Sequence, residues 1–121
     1  MAERKNFNTS KVARMSQAFP QAVIADKFIF VSGTPGLDLH SGQVISDSFE
    51  DQTRQCFENI KVILEEAGSR ISNVVKTTIF MEHWQNDVTS LISLCLQAFD
   101  RVRYRRFYRL VTYRQQGYRN R

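Results

Sequence analysis

No acidic residue follows Asp100, and no tyrosine precedes Tyr104. These two absences divide the chain. Residues 1–100 carry all twelve acids against nine Lys and Arg, whereas residues 101–121 hold eight Arg, no acid and all four tyrosines. The overall charge of +5 is therefore an average over a mildly acidic part and a strongly basic end.

Cysteine is scarce: Cys56 and Cys95 fall on predicted helices and lack any Cys-x-x-Cys context. That argues against a disulfide framework and favours a reducing compartment, with the thiols used as small core residues. His40 and His83 stand alone, with no cysteine or carboxylate at ligand spacing, so no metal site is expected. A phosphate-cradling glycine loop, a nucleophile elbow and a helical histidine pair are all missing. The apolar runs are too short to span a bilayer, and no secretory hydrophobic stretch opens the chain. Its first nineteen residues hold Arg4, Lys5, Lys11 and Arg14 against Glu3. That pattern reads as a solvated arm, the alternative being a mitochondrial presequence. The setting expected is cytoplasmic, with the mitochondrion as the second choice. At 121 residues the chain suits one domain with a core of its own.

What is present is amphipathic periodicity. Ser48 is a helix-capping residue type, and Glu50 and Asp51 follow in the first turn, where acids complement the helix dipole. Thr53, Cys56, Phe57, Ile60, Ile63, Leu64 and Ala67 recur on one helical face, and Gly68 supplies the stop. Residues 74–81 then alternate with period two, which predicts a strand against that helix. Upstream, residues 23–25 and Phe28–Val31 predict a hairpin around the Asp26–Lys27 turn, apolar on both faces and so covered on both sides. A short edge strand is expected near residues 7–12, and a loop with a Ser41-Gly42 turn over residues 37–47. Val88, Leu91, Ile92, Cys95, Leu96 and Phe99 mark a second helix, preceded by a polar link over residues 83–87, and residues 107–113 have strand propensity. Hairpin, helix, strand, helix, strand fits an α+β domain with both helices on one face of a sheet.

Three segments, IADKFIFVSG (24–33), DQTRQCFENIKVILEEAGS (51–69) and NVVKTTIFM (73–81), resemble the RidA/YjgF family, also called L-PSP or UK-type, in residues, order and spacing. The similarity runs over residues 19–99. The resemblance implies a chorismate-mutase-like α+β fold, a mixed sheet with two helices on one face, assembled as a homotrimer with small-molecule pockets between subunits. It implies hydrolysis of reactive enamines and imines to 2-oxo acids and ammonia without a cofactor. Some members are described as ribonucleases or translation inhibitors.

Carried over residue by residue, the site is incomplete. The family's Pro-Tyr-Ser-Gln-Ala stands here as Ala18-Phe19-Pro20-Gln21-Ala22, so Phe19 lacks the tyrosine hydroxyl. Ser32 and Gly33 are kept and, with Phe19, are the expected substrate-binding residues. Ile92 falls where a pocket asparagine is common. Arg109 lies near the place of the family's carboxylate-binding arginine and is the catalytic candidate, a role its planar fork suits. The late glutamate has no counterpart after Asp100. These departures predict a weak deaminase, the alternative being a non-catalytic small-molecule or RNA-binding protein, or an endoribonuclease or translation inhibitor, on the same scaffold. Residues 1–113 are expected to form the domain and residues 114–121 a basic tail. Arginine interleaved with tyrosine in the basic end suits RNA phosphates and bases. That end is equally consistent with a partnerless solvated segment, or with a divergence from relatives by truncation or frame shift.

Overall fold

The computed structural model describes residues 3–81 and 84–98. Three strands form an antiparallel sheet in the order β1 (Arg4–Phe7), β2 (Ala22–Ala25), β3 (Phe28–Val31). Helix α1 (Phe49–Glu66), a 3-10 turn (Ile71–Asn73) and helix α2 (Trp84–Ala98) follow. The first strand lies three residues earlier than its apolar pattern predicts. Arg4, Lys5 and Asn6 pair with Ala25, Ile24 and Val23, while residues beyond Phe7 turn away to form an arm. Backbone pairing to β2 sets this position, and hydrophobicity alone does not reveal it.

β2 and β3 pair Ala22 with Val31 and Ala25 with Phe28, leaving Asp26–Lys27 as the expected two-residue turn. Asp26 takes a left-handed conformation at φ 55°, which a short polar side chain tolerates. One face of the hairpin packs inward: Ala22 is fully buried in a cluster with Val12 and Ile63, against which Phe7, Ile29, Val31 and Val62 lie. The other face carries Phe28 and Phe30, 61% and 60% exposed, with ring centroids 6.3 Å apart. The expected cover on both sides is thus present on one side only among the described residues.

Helix α1 forms as its periodicity dictates. Ser48 Oγ accepts from the Asp51 amide, and Phe57, Ile63 and Leu64 face the core. At the far end Ser69 N–H donates to Leu64 O (2.8 Å) and Gly68 N–H to Glu65 O (3.1 Å), with Gly68 at φ 89°. This is a Schellman closure, which needs the left-handed residue that glycine supplies. α2 begins at Trp84, inside the stretch expected to be a polar link, and buries Leu91 and Leu94.

Residues 74–81 overturn an expectation. They alternate like a strand, yet no ladder forms among the described residues, and Val75 and Phe80 are 73% and 77% exposed. A strand exists only as half of a pairing, and period-two alternation does not name the partner. The other predicted strand, residues 107–113, lies outside the described residues, as does the tail at 114–121. The described ladder is antiparallel throughout, and the α+β class stands.

Candidate functional site

The arm between β1 and β2, the end of β3 and the middle of α1 meet around a partly open cavity of about 30 Å³. Its wall includes Val12, Arg14, Phe19, Pro20, Ser32, Gly33, Thr34 and Ile63. Phe19 and the adjacent pair Ser32 and Gly33, from two separate segments, therefore share one cavity. Arg109 lies outside the described residues, and Ile92, half-buried on α2, does not line this cavity.

Hydrogen bonds hold each wall. Gln21 is buried and pins the arm: its Oε1 accepts from Thr9 N (2.6 Å), its Nε2 donates to Val12 O (2.9 Å), and its amide donates to Asn8 Oδ1 (2.9 Å). Lys11 Nζ adds a solvated ion pair to Glu66 Oε1 at 2.7 Å, whose hydrogen bond raises the lysine pKa. On the strand side, Ser32 N–H donates to Gln21 O (3.0 Å) and Ser32 Oγ donates to Pro20 O (2.7 Å). With its one proton committed to Pro20, the Ser32 hydroxyl meets any ligand as an acceptor.

The loop after β3 is fixed by α1. Cys56 Sγ donates to Thr34 O (2.8 Å), and Asn59 Nδ2 donates to Leu37 O (3.1 Å) and Pro35 O (3.4 Å). Asn59 Oδ1 accepts in turn from Gln55 Nε2 at 2.8 Å, so this buried amide is well satisfied. Gly36 sits so close to α1 that a Cβ there would strike the Gln52 carbonyl oxygen. Beyond it, Asp38 Oδ2 accepts from Ser41 N (2.8 Å) and His40 N (3.1 Å), and those bonds lower the Asp38 pKa.

Burial raises the pKa of both thiols, Cys95 to about 11 with a further push from Cys56, so neither is a thiolate near neutrality. Both cysteines are free. Among the described residues no group of His, Cys, Asp and Glu could hold a metal, and no helix is long and apolar enough to cross a membrane.

Sequence reasoning overlooked Arg14, Gln21 and Asn59 as parts of this site. Gln21 and Asn59 stand inside the quoted segments or beside them, and polar residues on otherwise apolar faces are their signal. Arg14 has none, because an irregular arm has no periodicity to say which way a side chain points.

The family profile described as "Endoribonuclease L-PSP" matches residues 10–110. The chain is 40% identical over 78 residues to the rat protein named 2-iminobutanoate/2-iminopropanoate deaminase, covering 64% of this chain and 57% of that one. Among solved structures, an Entamoeba histolytica protein titled a putative endoribonuclease L-PSP superposes with a TM-score of 0.76 at 29% identity, over 82% of this chain and 78% of that one. The E. coli protein TdcF, solved with bound serine, gives 0.72 at 27% identity, over 79% and 74%. This chain spans 57% to 64% of the length of three of the curated relatives it matches.

Proposed function

The chain belongs to the endoribonuclease L-PSP, or RidA/YjgF, family, and from that premise we propose that it hydrolyses small imines or enamines to a 2-oxo acid and ammonia. The observation that carries this reading is the convergence of Phe19, Ser32 and Gly33 on one cavity. In the reaction, water adds to the imine carbon, a new C–O bond forms, and the water's protons pass to nitrogen. Collapse of that adduct to the carbonyl breaks the C–N bond and releases ammonia. The Ser32 hydroxyl, an acceptor toward ligand, suits the N–H of a protonated imine. Phe19 offers an apolar wall and no proton. Arg109 remains the expected clamp for the substrate carboxylate.

Among the described residues no Asp, Glu, His, Cys or Lys lines the cavity. A positioned acid or base contributes ~10²–10⁴ in rate, so turnover by this site is slow, resting on orientation and electrostatics. The same observation favours the second reading, a protein that binds such compounds without converting them. The exposed Phe28–Phe30 face fits a homotrimer in which a neighbouring copy covers the sheet. The proposal treats residues 1–113 as the domain and residues 114–121 as a tail that binds RNA, if at all, in a steeply salt-dependent way. Two free thiols suit a cytoplasmic setting, or a mitochondrial one.

The test is release of 2-oxo acid from an enzymatically generated 2-imino acid, measured against the buffer rate. Slow release above buffer, lowered further by Ser32→Ala and by Arg109→Ala, is the expected result. No release by folded protein overturns the hydrolase reading and leaves the binding one.

A further inference from the structure

The side chains on the cavity wall lie at different depths. Val12, Gln21 and Ile63 are buried and form its floor, whereas Met15 and Phe19 are 63% and 67% exposed and stand at its mouth. The segment that carries these two large apolar residues is braced. Arg14 Nη1 donates to Gln17 Oε1 (2.8 Å) and Nη2 to Phe19 O (3.0 Å), while Ala18 N–H donates to Ser16 Oγ (3.0 Å). These bonds close residues 14–19 on themselves and leave a thioether and a phenyl ring exposed at the opening of a cavity. Single exposed apolar side chains are ordinary on a protein surface. A pair fixed at a cavity mouth is apolar surface that a ligand can cover.

We propose that Met15 and Phe19 form a subsite for the apolar side chain of a small 2-oxo or 2-imino acid, and that this rim selects acids with side chains of about three carbons or more. The inference rests on the proposed function for the identity of the acid, and on the geometry of the rim for its side chain. Size places the two ends of the ligand. About 30 Å³ is room for roughly two water molecules, so the interior takes the oxo or imino end and nothing longer. A longer side chain lies across the mouth, where the ring gives a flat apolar face and the unbranched thioether adapts to its shape. Charge narrows the class further. Among the described residues no acid lines the cavity and Arg14 does, which disfavours a ligand with a cationic side chain. The bonds within residues 14–19 exist before any ligand arrives, so ordering the rim costs little on binding.

The experiment is a titration of the intact chain with four straight-chain 2-oxo acids: pyruvate, 2-oxobutanoate, 2-oxopentanoate and 2-oxohexanoate. Dissociation constants are read by calorimetry. The rim is read by the side-chain methyl resonance of Met15, identified by its loss in Met15→Leu. Affinity is expected to rise by about two- to fourfold with each added methylene, fourfold corresponding to full burial. 2-Oxohexanoate should shift the Met15 methyl to saturation, whereas pyruvate leaves it in place. Met15→Ser should flatten the rise along the series. Should Met15→Ser fail to fold, the methyl resonance in the unaltered protein decides by itself. A flat series, absent binding at millimolar 2-oxohexanoate, an unmoved methyl, or an undiminished rise in folded Met15→Ser overturns the proposal. So does a lower mass of Met15→Ser in sedimentation equilibrium, which assigns the rim to a neighbouring copy. Failure of the hydrolase reading looks different: the rise and the methyl shift appear while imine hydrolysis stays at the buffer rate. Hydrolysis above the buffer rate alongside a flat series sinks this proposal and leaves the hydrolase reading intact.

Discussion

The two faces of the β2–β3 hairpin are built from the same kinds of residue and meet opposite fates. Ala22, Ile24, Ile29 and Val31 point toward α1 and the arm, whereas Val23, Ala25, Phe28 and Phe30 point away from both. The inner face is completed by the chain's own side chains, with Ile63 1% exposed. The outer face has no such cover among the described residues, although it is at least as apolar. Apolar composition sets how much a face gains from burial, and topology decides whether the chain itself can bury it. A strand that is hydrophobic on both sides therefore says that something covers it, and not that the same chain does.

Substitutions sharpen that contrast. Ile63→Ala removes buried methyl groups from the inner cluster and is expected to destabilise the fold by about 2–5 kcal/mol in urea unfolding. Phe30→Ser on the outer face should leave the folded subunit near its original stability and, on the proposed homotrimer, lower the mass read by sedimentation equilibrium. If Phe30→Ser unfolds the chain as Ile63→Ala does, the two faces are equivalent and the contrast fails.

A smaller effect is expected at Gly36. A methyl group there meets the α1 backbone at Gln52, which cannot rotate away, so Gly36→Ala should cost about 1–3 kcal/mol by overpacking. Gly33→Ala is its control, because a Cβ at Gly33 meets nothing within 4 Å. Equal melting of the two variants would refute the close approach.

The smallest effect comes from pH. Cys95 has its folded pKa raised to about 11 from an ordinary value of 9.0. Its contribution to stability is fully present below pH 9, where both states keep the proton. It is lost progressively as pH rises toward 11, because the unfolded thiol ionises first. Alkylation by iodoacetamide should accordingly be slow at pH 8 and accelerate toward pH 11, and rapid labelling of the folded chain at pH 8 would contradict the burial.

Helix α1 was legible in the sequence from cap to stop, because Ser48, the apolar stripe and Gly68 are local signals that agree. The hairpin turn was legible for the same reason. Residues 74–81 were misread because pairing is non-local, and the arm was misplaced because β1 is positioned by β2. The cavity was half legible. Phe19, Ser32 and Gly33 were named by resemblance to a family, whereas Arg14 enters through an irregular segment whose path depends on the buried side chains of Val12 and Gln21. A side chain acting at a distance of several residues leaves no periodic trace.

Asn59 and Cys56 have a consequence for motion. By gripping the carbonyls of Thr34, Pro35 and Leu37, they make the segment after β3 open and close with the helix, although it contains no regular structure itself. Loops ordinarily fluctuate at far lower free energy than the elements they join. Here one wall of the cavity is bonded directly to α1, while the opposite wall, the arm, is held by Gln21, by Val12 against Ile63 and by the solvated Lys11–Glu66 pair. The segment from Thr34 to Leu37 is therefore expected to open only together with α1.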